Sequence, residues 1–355
     1  MIYPAFPNPG DTLGITAPSA GVGHKIDSFN TSVQTLREQG YSVVETGSVR
    51  MEGVRSNYAD IRGEEFNELL RDPDVKAILA ASGGEFNIEV LPYIDWKALK
   101  RHPKWIAGAS DPTNLLYVIT TKYNIATMYG FNAGSFDWRP LHTFQRNALA
   151  ILSGNVLRQD SFNMYDKIRD FTVDAPILDE PVHWDLFLPV GREVFPALTW
   201  RTNSRLPEPD KLNMAYDESI SIDIQGRLIG GCIDCIAKLI GTPYDEAPDF
   251  VGRQRDVIWY FDVFEMSPEE LYRTLLQMKY CGYFVNTRAV VFGRVMFPDD
   301  ATDYNYIELL RRIFNVPILW NTDIGHVKPC MTLINGSLTR IRSSGGKGSI
   351  EMKLD

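Results

Sequence analysis

Short apolar runs alternate with helical runs through the first 150 residues, and this alternation constrains the fold more than any other feature of the chain. Strands that alternate with helices form a parallel, doubly wound sheet, which indicates a flavodoxin-like α/β domain. Ligands of such sheets bind beyond the carboxyl ends of the strands, so we expect the loops 18–21, 82–85 and 108–111 to meet at one crevice. The predicted strands are 12–17, 41–46, 75–80 and 104–107, and the predicted helices are 26–39, 61–71 and 91–99.

A second α/β pattern begins near residue 219. It contains the predicted strands 220–224, 257–261, 289–293 and 316–320, with a predicted glycine turn at 226–231. At 355 residues the chain is longer than most single cores, which favours two domains. We therefore predict an N-terminal α/β domain at 1–150, a proline-rich linker and inserted loop region at 151–218, and a C-terminal α/β domain at 219–355.

The composition is that of an ordinary globular protein and excludes some partners. The net charge of −9 argues against nucleic acid or an anionic membrane surface as the main partner. No apolar run reaches the length that spans a bilayer, and the N-terminus lacks the pattern of a signal peptide. We expect a cytoplasmic protein.

The segment 105–116 carries the first sign of chemistry. An apolar strand leads through Gly108 and Ala109 to Ser110 and Asp111, where a helix begins. A serine on a tight strand-to-helix turn exposes its hydroxyl beside helix N-terminal amides that bind an oxyanion. Serine and aspartate are also ordinary helix N-cap residues. The segment alone therefore leaves both a nucleophile and a helix cap open.

Two further side chains follow strands in the second half. Asp262 comes directly after the apolar strand 257–261, and His326 follows the strand 316–320 and a glycine. A serine nucleophile requires a base within reach and an acid that orients the base. Either residue alone has a structural explanation, but together with Ser110 they form a candidate triad.

The cysteines offer a competing chemistry. Cys232 and Cys235 form a C-x-x-C pair, the spacing of a redox centre or half of a zinc site. No second pair and no nearby histidine completes such a site in the sequence. We therefore expect buried, reduced thiols on a helix that follows Gly231.

Several blocks in order along the chain resemble the LD-carboxypeptidase family of serine peptidases, which includes the microcin C self-immunity proteins. They are Gly10-Asp-Thr-Leu-Gly-Ile-Thr-Ala-Pro-Ser19, Ser82-Gly-Gly84 followed by Leu91-Pro-Tyr-Ile-Asp95, Gly108-Ala-Ser-Asp111, Gly226-Arg-Leu-Ile-Gly-Gly231, Gly241-Thr-Pro-Tyr244, the segment 262–282, and Gly325-His326. Each block is weak, but the set spans nearly the whole chain.

The resemblance implies roles for individual residues. Ser110 matches the nucleophile and His326 the general base, while the amides of Gly84 and Asp111 match the oxyanion hole. The acid of the family is usually a glutamate. Counting back from Gly282 without gaps places Asp262 there, whereas aligning on the strand moves the match to Phe261, which has no carboxylate, and Glu265 is the fallback. Such a mechanism needs no metal or organic cofactor, and the family implies a homodimer.

The substrate is the open question at this stage. Ser82 stands where many members of the resembling family have an arginine, so a partner for a substrate carboxylate is missing. A second departure from the family pattern is Ile334-Asn-Gly336, which replaces Leu-Pro-x-Gly. The resemblance and the long 151–218 region favour a small peptide or peptidyl-nucleotide, as in the immunity branch, over a murein tetrapeptide. The candidate substrate-binding residues are Ser82, Gly83, Glu85 and Trp184, with Trp200 as a second ring that could stack on a nucleobase. Core or interface packing is the favoured role for either tryptophan.

Two other functions remain possible from the residues. A catalytically inactive homologue that binds peptides or nucleotides fits the Glu-to-Asp change and Ser82. A dinucleotide-binding enzyme fits the sheet and the Gly83-Gly84 pair, but no G-x-G-x-x-G follows the first strand.

Overall fold

The computed structural model describes residues 1–167, 177–189, 214–216, 221–298 and 304–355. The α/β fold expected from the alternating pattern is confirmed. The first sheet has strand order β15-β5-β4-β3-β1-β2, with β1 to β5 parallel and β15 antiparallel to β5. Its strands are β1 Thr12–Thr16, β2 Ser42–Glu45, β3 Val75–Ala80, β4 Trp105–Gly108, β5 Thr127–Tyr129 and β15 Leu333–Asn335.

Helices cover both faces of this sheet, which explains why its central strands are apolar along their whole length. In β3 every side chain but Lys76 is buried, and all four residues of β4 are buried. The helices are α1 Ile26–Glu38, α2 Ala59–Arg71, α3 Trp96–Arg101, α4 Thr113–Tyr123 and α5 Thr143–Leu152, with 3-10 helices at Gly23–Lys25, Asn87–Tyr93 and Ala133–Ser135.

The second sheet has strand order β10-β9-β14-β13-β12-β11-β16-β17-β6 in the part of the chain that is described. Its centre, β11 to β14, is parallel, and antiparallel strands flank the centre on both sides. The strands are β6 Arg158–Asp160, β9 Asp185–Pro189, β10 Met214–Tyr216, β11 Ser221–Cys232, β12 Val257–Asp262, β13 Thr287–Gly293, β14 Ile318–Thr322, β16 Leu338–Ser344 and β17 Lys347–Lys353, while β7 Met164–Tyr165 and β8 Glu180–Pro181 form a small separate sheet.

The helices of the second half start at recognisable signals. The side chain of Ser267 accepts a hydrogen bond from the Glu270 amide at 3.2 Å, and Pro268 occupies the first helical position of α8. The described helices here are α6 Ile233–Ile236, α7 Ala247–Gly252, α8 Pro268–Tyr280 and α9 Tyr306–Leu310.

The predicted turn at 226–231 was wrong. These residues continue β11 as one strand, which pairs with β12 on one side and β16 on the other. A Cβ on Gly230 would overlap the Tyr260 carbonyl oxygen, so the glycine lets two strands approach closely instead of forming a turn. The strand also ends at Cys232, so the expected cysteine-bearing helix is only the short α6.

Two features bring the halves of the chain together at one edge. Strand β15, from the C-terminal half, completes the first sheet beside β5. The Cys232 amide at the end of β11 donates a hydrogen bond of 3.1 Å to the Thr113 hydroxyl at the start of α4. The carboxyl ends of β4 and β12 therefore face the same region.

Within the described residues, none of the helices has the length and apolar character needed to cross a membrane.

Candidate active site

Ser110 lies on a strained turn between β4 and α4. Its φ angle is 69°, in the left-handed region that non-glycine residues rarely adopt. Its carbonyl oxygen accepts a hydrogen bond of 2.9 Å from the Thr113 amide, and its own amide donates one of 3.3 Å to the Tyr129 hydroxyl. The Asn132 side chain holds the preceding residue, accepting from the Ala109 amide at 2.9 Å and donating to its carbonyl at 3.3 Å. This is the geometry of a serine elbow.

The alternative role of Ser110 and Asp111 as helix caps is not what the structure shows. Helix α4 has no side-chain cap at its N-cap residue, Pro112. The Ser110 hydroxyl forms no hydrogen bond with any described residue, which includes His326. The Asp111 carboxylate is buried and accepts from the Ser19 hydroxyl and, at 2.7 Å, from the Asn87 amide, so it ties loops together. Burial raises the pKa of Asp111, and these hydrogen bonds partly offset the rise.

The paired glycines bring the loop after β3 against the serine. A Cβ on Gly83 would lie 2.9 Å from the Ser110 Cβ and 3.1 Å from its Oγ, closer than real side chains approach. Gly84 has a φ of 144°, and a Cβ there would overlap the Ser19 hydroxyl. The amides of Gly84 and Asp111 have no hydrogen-bond acceptor among the described residues.

Asp262 and His326 form the second half of the site. Nδ1 of His326 lies 2.8 Å from Oδ2 of Asp262, although the ring N–H is not aimed straight at that oxygen. The His326 amide donates to the other carboxylate oxygen at 3.3 Å. An ionised carboxylate only accepts, so Nδ1 carries the imidazole proton and Nε2 keeps its lone pair. The Phe264 ring packs on the imidazole, with the centroids 4.6 Å apart.

Burial and pairing act in opposite directions on Asp262. The side chain is 1% exposed, and this burial alone would raise its pKa. The positive charge of a protonated His326 and the hydrogen bonds from His326 and Tyr129 outweigh the burial, so the pKa of Asp262 lies below its ordinary value. The carboxylate is therefore ionised at neutral pH.

Tyr129 is the site residue that the sequence reasoning missed. It ends β5 and pairs with Gly108, two residues before Ser110. Its buried hydroxyl accepts from the Ser110 amide and donates to Oδ2 of Asp262. The sequence did contain a signal for this residue. The mostly apolar run 125–129 ends in Tyr129 and is followed by Gly130, and in the fold this end lies at the same sheet edge as Ser110. The strand has three residues, however, and this is too short for a strand pattern to be recognised in the sequence.

The other site residues predicted from the sequence differ in exposure and in their hydrogen-bond partners. Glu265 is exposed, and its amide donates to Asp234, whereas the buried Asp262 contacts the imidazole. Ser82 is half-buried and Glu85 is exposed. Trp184 is 1% exposed and its indole N–H donates to Asp323 at 3.0 Å, an arrangement of core packing rather than of a ring open to a ligand. Trp200 lies outside the described residues.

The C-x-x-C pair lies beside the candidate acid. Cys232 pairs in register with Asp262 across β11 and β12, and both Cys232 and Cys235 are free thiols. Hydrogen bonding to Cys235 and burial raise the pKa of the Cys232 thiol well above its usual value, which makes it unreactive at neutral pH. Across the described ranges, no group of three or more potential ligand side chains is placed to hold a metal ion.

Comparisons with known proteins agree along most of the chain. The family model described as the LD-carboxypeptidase N-terminal domain matches residues 13–130, and that described as the LD-carboxypeptidase C-terminal domain matches residues 225–341. The chain is 31% identical to a probable murein peptide carboxypeptidase of Bacillus subtilis, covering 80% of this chain and 72% of that protein. It is 26% identical to the microcin C7 self-immunity protein MccF of Escherichia coli, covering 91% of this chain and 88% of that protein.

A solved structure matches over almost the full length of both chains. It is MccF in complex with aspartyl sulfamoyl adenosine, with a TM-score of 0.77 at 20% identity, covering 100% of this chain and 99% of that one. At this identity the likeness shows the fold.

Proposed function

The chain belongs to the LD-carboxypeptidase family, and on that premise we propose that it is a serine hydrolase that cleaves an amide through an acyl-enzyme on Ser110. The observation that carries the proposal is the His326–Asp262 pair, 2.8 Å apart, joined through one tyrosine hydroxyl to the strained Ser110 turn. A half-buried serine on a tight turn, a partly buried imidazole and a buried carboxylate that contacts it match the nucleophile, base and orienting acid of acyl transfer.

The proposed reaction has two halves. Nε2 of His326 takes the hydroxyl proton of Ser110 as Oγ attacks the substrate carbonyl carbon. The amides of Gly84 and Asp111 donate to the oxyanion of the tetrahedral intermediate. The intermediate collapses with cleavage of the C–N bond, and the imidazolium gives its proton to the leaving nitrogen. Water, deprotonated by the same imidazole, then attacks the ester carbonyl carbon. The imidazolium returns the proton to Oγ as the ester C–O bond breaks, which releases the acid product and free Ser110.

The buried Asp262 supports the imidazole in both halves. Its negative charge stabilises the imidazolium that forms at each proton transfer, and it accepts a hydrogen bond from the His326 amide, which holds the loop that carries the ring. We assign the acid to Asp262 rather than Glu265 because only the former contacts His326.

For the substrate we propose an aminoacyl- or peptidyl-nucleotide. The support is the resemblance to MccF over 91% of the chain and the aspartyl sulfamoyl adenosine named in the matching structure. Ser82, which offers no cation to a terminal carboxylate, agrees with this choice. The 31% identity to a murein peptide carboxypeptidase favours a second candidate, a murein tetrapeptide that ends in a D-residue.

One experiment separates these candidates. Purified protein is incubated in parallel with aspartyl sulfamoyl adenosine and with a murein tetrapeptide ending in D-alanine, and the products are identified by mass spectrometry with Ser110→Ala as control. We expect aspartate and sulfamoyl adenosine. Release of D-alanine alone would select the tetrapeptide, whereas no turnover of either substrate, together with no covalent labelling of Ser110, would indicate an inactive binding homologue. The homodimer and the cytoplasmic location stay predictions, which sedimentation and fractionation test.

A further inference from the structure

We propose that Tyr129 is a positioning residue, whose single hydroxyl couples the nucleophile turn at Ser110 to the triad acid Asp262. The inference rests on the proposed function, because it assigns Tyr129 a part in the reaction of that same site. Its geometric basis is the pair of hydrogen bonds at one oxygen, from the Ser110 amide at 3.3 Å and to Oδ2 of Asp262.

The direction of each hydrogen bond is forced by the groups involved. A carboxylate only accepts, so the phenolic proton points to Asp262, and a backbone amide only donates, so it uses a lone pair of the phenol oxygen. Burial, and after it the charge of Asp262, raises the pKa of Tyr129 well above its usual value, which keeps the hydroxyl protonated. At neutral pH Tyr129 therefore donates to Asp262 and accepts from the Ser110 amide.

The hydroxyl joins the two halves of the fold. Tyr129 is the last residue of β5 in the first sheet, and Asp262 is the last residue of β12 in the second. The Tyr129 ring is buried and lies 5.8 Å from the Tyr260 ring, so it has little freedom to move. One buried side chain thus links the nucleophile turn directly to the acid.

Tyr129 and His326 approach the same carboxylate oxygen. The phenol donates to Oδ2 of Asp262, and Nδ1 of His326 lies 2.8 Å from that atom. Donation by the phenol takes up part of the negative charge that faces the imidazole. Without the hydroxyl, that oxygen stabilises the imidazolium more strongly, and His326 holds its proton to higher pH. The Ser110 amide also loses its acceptor, and the strained turn loses one of its anchors.

Other charged groups near this oxygen come from three elements. Cys232 lies at the end of β11, Asp234 and Cys235 lie on α6, and Asp111 lies before α4; their charges interact with Tyr129, Asp262 or one another. The thiols have raised pKa values and stay neutral in the acid range. Of the carboxylates named here, only Asp262 accepts a hydrogen bond from the Tyr129 hydroxyl, so removing this hydroxyl acts directly on Asp262 and on His326 beside it.

The test is the rate of covalent labelling by a fluorophosphonate probe as a function of pH, measured on the full chain. Tyr129→Phe removes only the hydroxyl. Tyr260→Phe is the matched control, because it removes a neighbouring buried hydroxyl that donates to Asn335 at 3.0 Å instead of to the site. At the pH where each protein is labelled fastest, we expect the labelling rate of Tyr129→Phe to be about tenfold lower than that of the wild type. As the pH is lowered, the rate of Tyr129→Phe should begin to fall at a higher pH than the rate of the wild type does. Tyr260→Phe should keep the wild-type pH profile.

Two results would overturn the role of Tyr129. One is a wild-type rate and profile in Tyr129→Phe, and the other is a slower rate whose acid limb does not move, which indicates loosened packing alone. If Tyr129→Phe does not fold, 3-fluorotyrosine at position 129 replaces it; this stronger donor should move the limb to lower pH, and an unmoved limb would contradict the proposal. A wild type that is not labelled, or Ser110→Ala labelled equally fast, would instead overturn the proposed function.

Discussion

The Cα atom of Gly325 lies against the carboxylate of Asp262, so closely that a Cβ on this glycine would overlap Oδ1. The loop that carries His326 therefore lies close to the backbone of Asp262, so the short aspartate side chain is long enough to contact the imidazole. This contact explains how Asp262 can orient the imidazole at a position where the family usually has the longer glutamate.

Gly325→Ala should therefore separate His326 from Asp262. We expect kcat to fall at least about 100-fold, because the acid no longer orients the base. Gly10→Ala is the matched control, since Gly10 has nearly the same φ, 100° against 99°, but none of the described residues beyond its chain neighbours lies within 4 Å of its Cβ position. The control should lose about 1 kcal/mol of unfolding free energy and keep its kcat. Equal losses of kcat in both variants would show that backbone strain alone is responsible.

Asp262→Asn and Glu265→Gln test which carboxylate is the acid. We expect kcat to fall by roughly 10³- to 10⁴-fold in Asp262→Asn, because the neutral amide no longer stabilises the imidazolium. Glu265 is exposed and does not contact the imidazole, so Glu265→Gln should stay within about twofold of the wild type. Steady-state kinetics on the substrate found by product analysis measures both, and the reverse order would move the acid to Glu265.

The pH dependence of stability follows from the lowered pKa of Asp262. Its folded pKa lies below the ordinary value of 3.8, so the stability from its ionised form is complete above pH 3.8 and lost as the pH falls below it. We expect the difference in unfolding free energy between wild type and Asp262→Asn to shrink as the pH drops through this range. Denaturant titrations at pH 6 to 3 measure it, and a difference that grows toward acid pH would contradict the assigned direction.

Trp184→Phe separates packing from ligand binding. The indole N–H donates to the buried Asp323, whose other oxygen accepts from Arg294 at 2.8 Å. We expect a loss of about 1–3 kcal/mol in unfolding free energy with KM unchanged. Trp259→Phe is the control, because that buried indole N–H has no hydrogen-bond partner among the described residues. A raised KM with unchanged stability would return Trp184 to the substrate site.

Ser110, Asp262 and His326 were predictable for a common reason. Each follows an apolar strand directly or within a few residues, and the carboxyl ends of parallel strands mark the ligand side of the sheet. Their grouping needed the fold, because Ser110 and His326 are 216 positions apart in the sequence.

Other parts depended on contacts that no local pattern encodes. Tyr129 acts through a hydroxyl at the end of a three-residue strand, and its partner Asp262 lies in the other sheet. The three glycines in 226–231 led to a predicted turn, because the sequence does not reveal that the Tyr260 backbone approaches Gly230. Strand β15 joins the first sheet from the far end of the chain, which a boundary drawn by composition cannot anticipate.

The most direct test of the central claim is the site of covalent modification by a fluorophosphonate, mapped by peptide mass spectrometry. The account predicts one adduct, on the peptide that contains Ser110, which is absent in Ser110→Ala and forms at least about 100-fold more slowly in His326→Ala. An adduct on another residue, or the same adduct in Ser110→Ala, would contradict the assignment of Ser110 as the nucleophile.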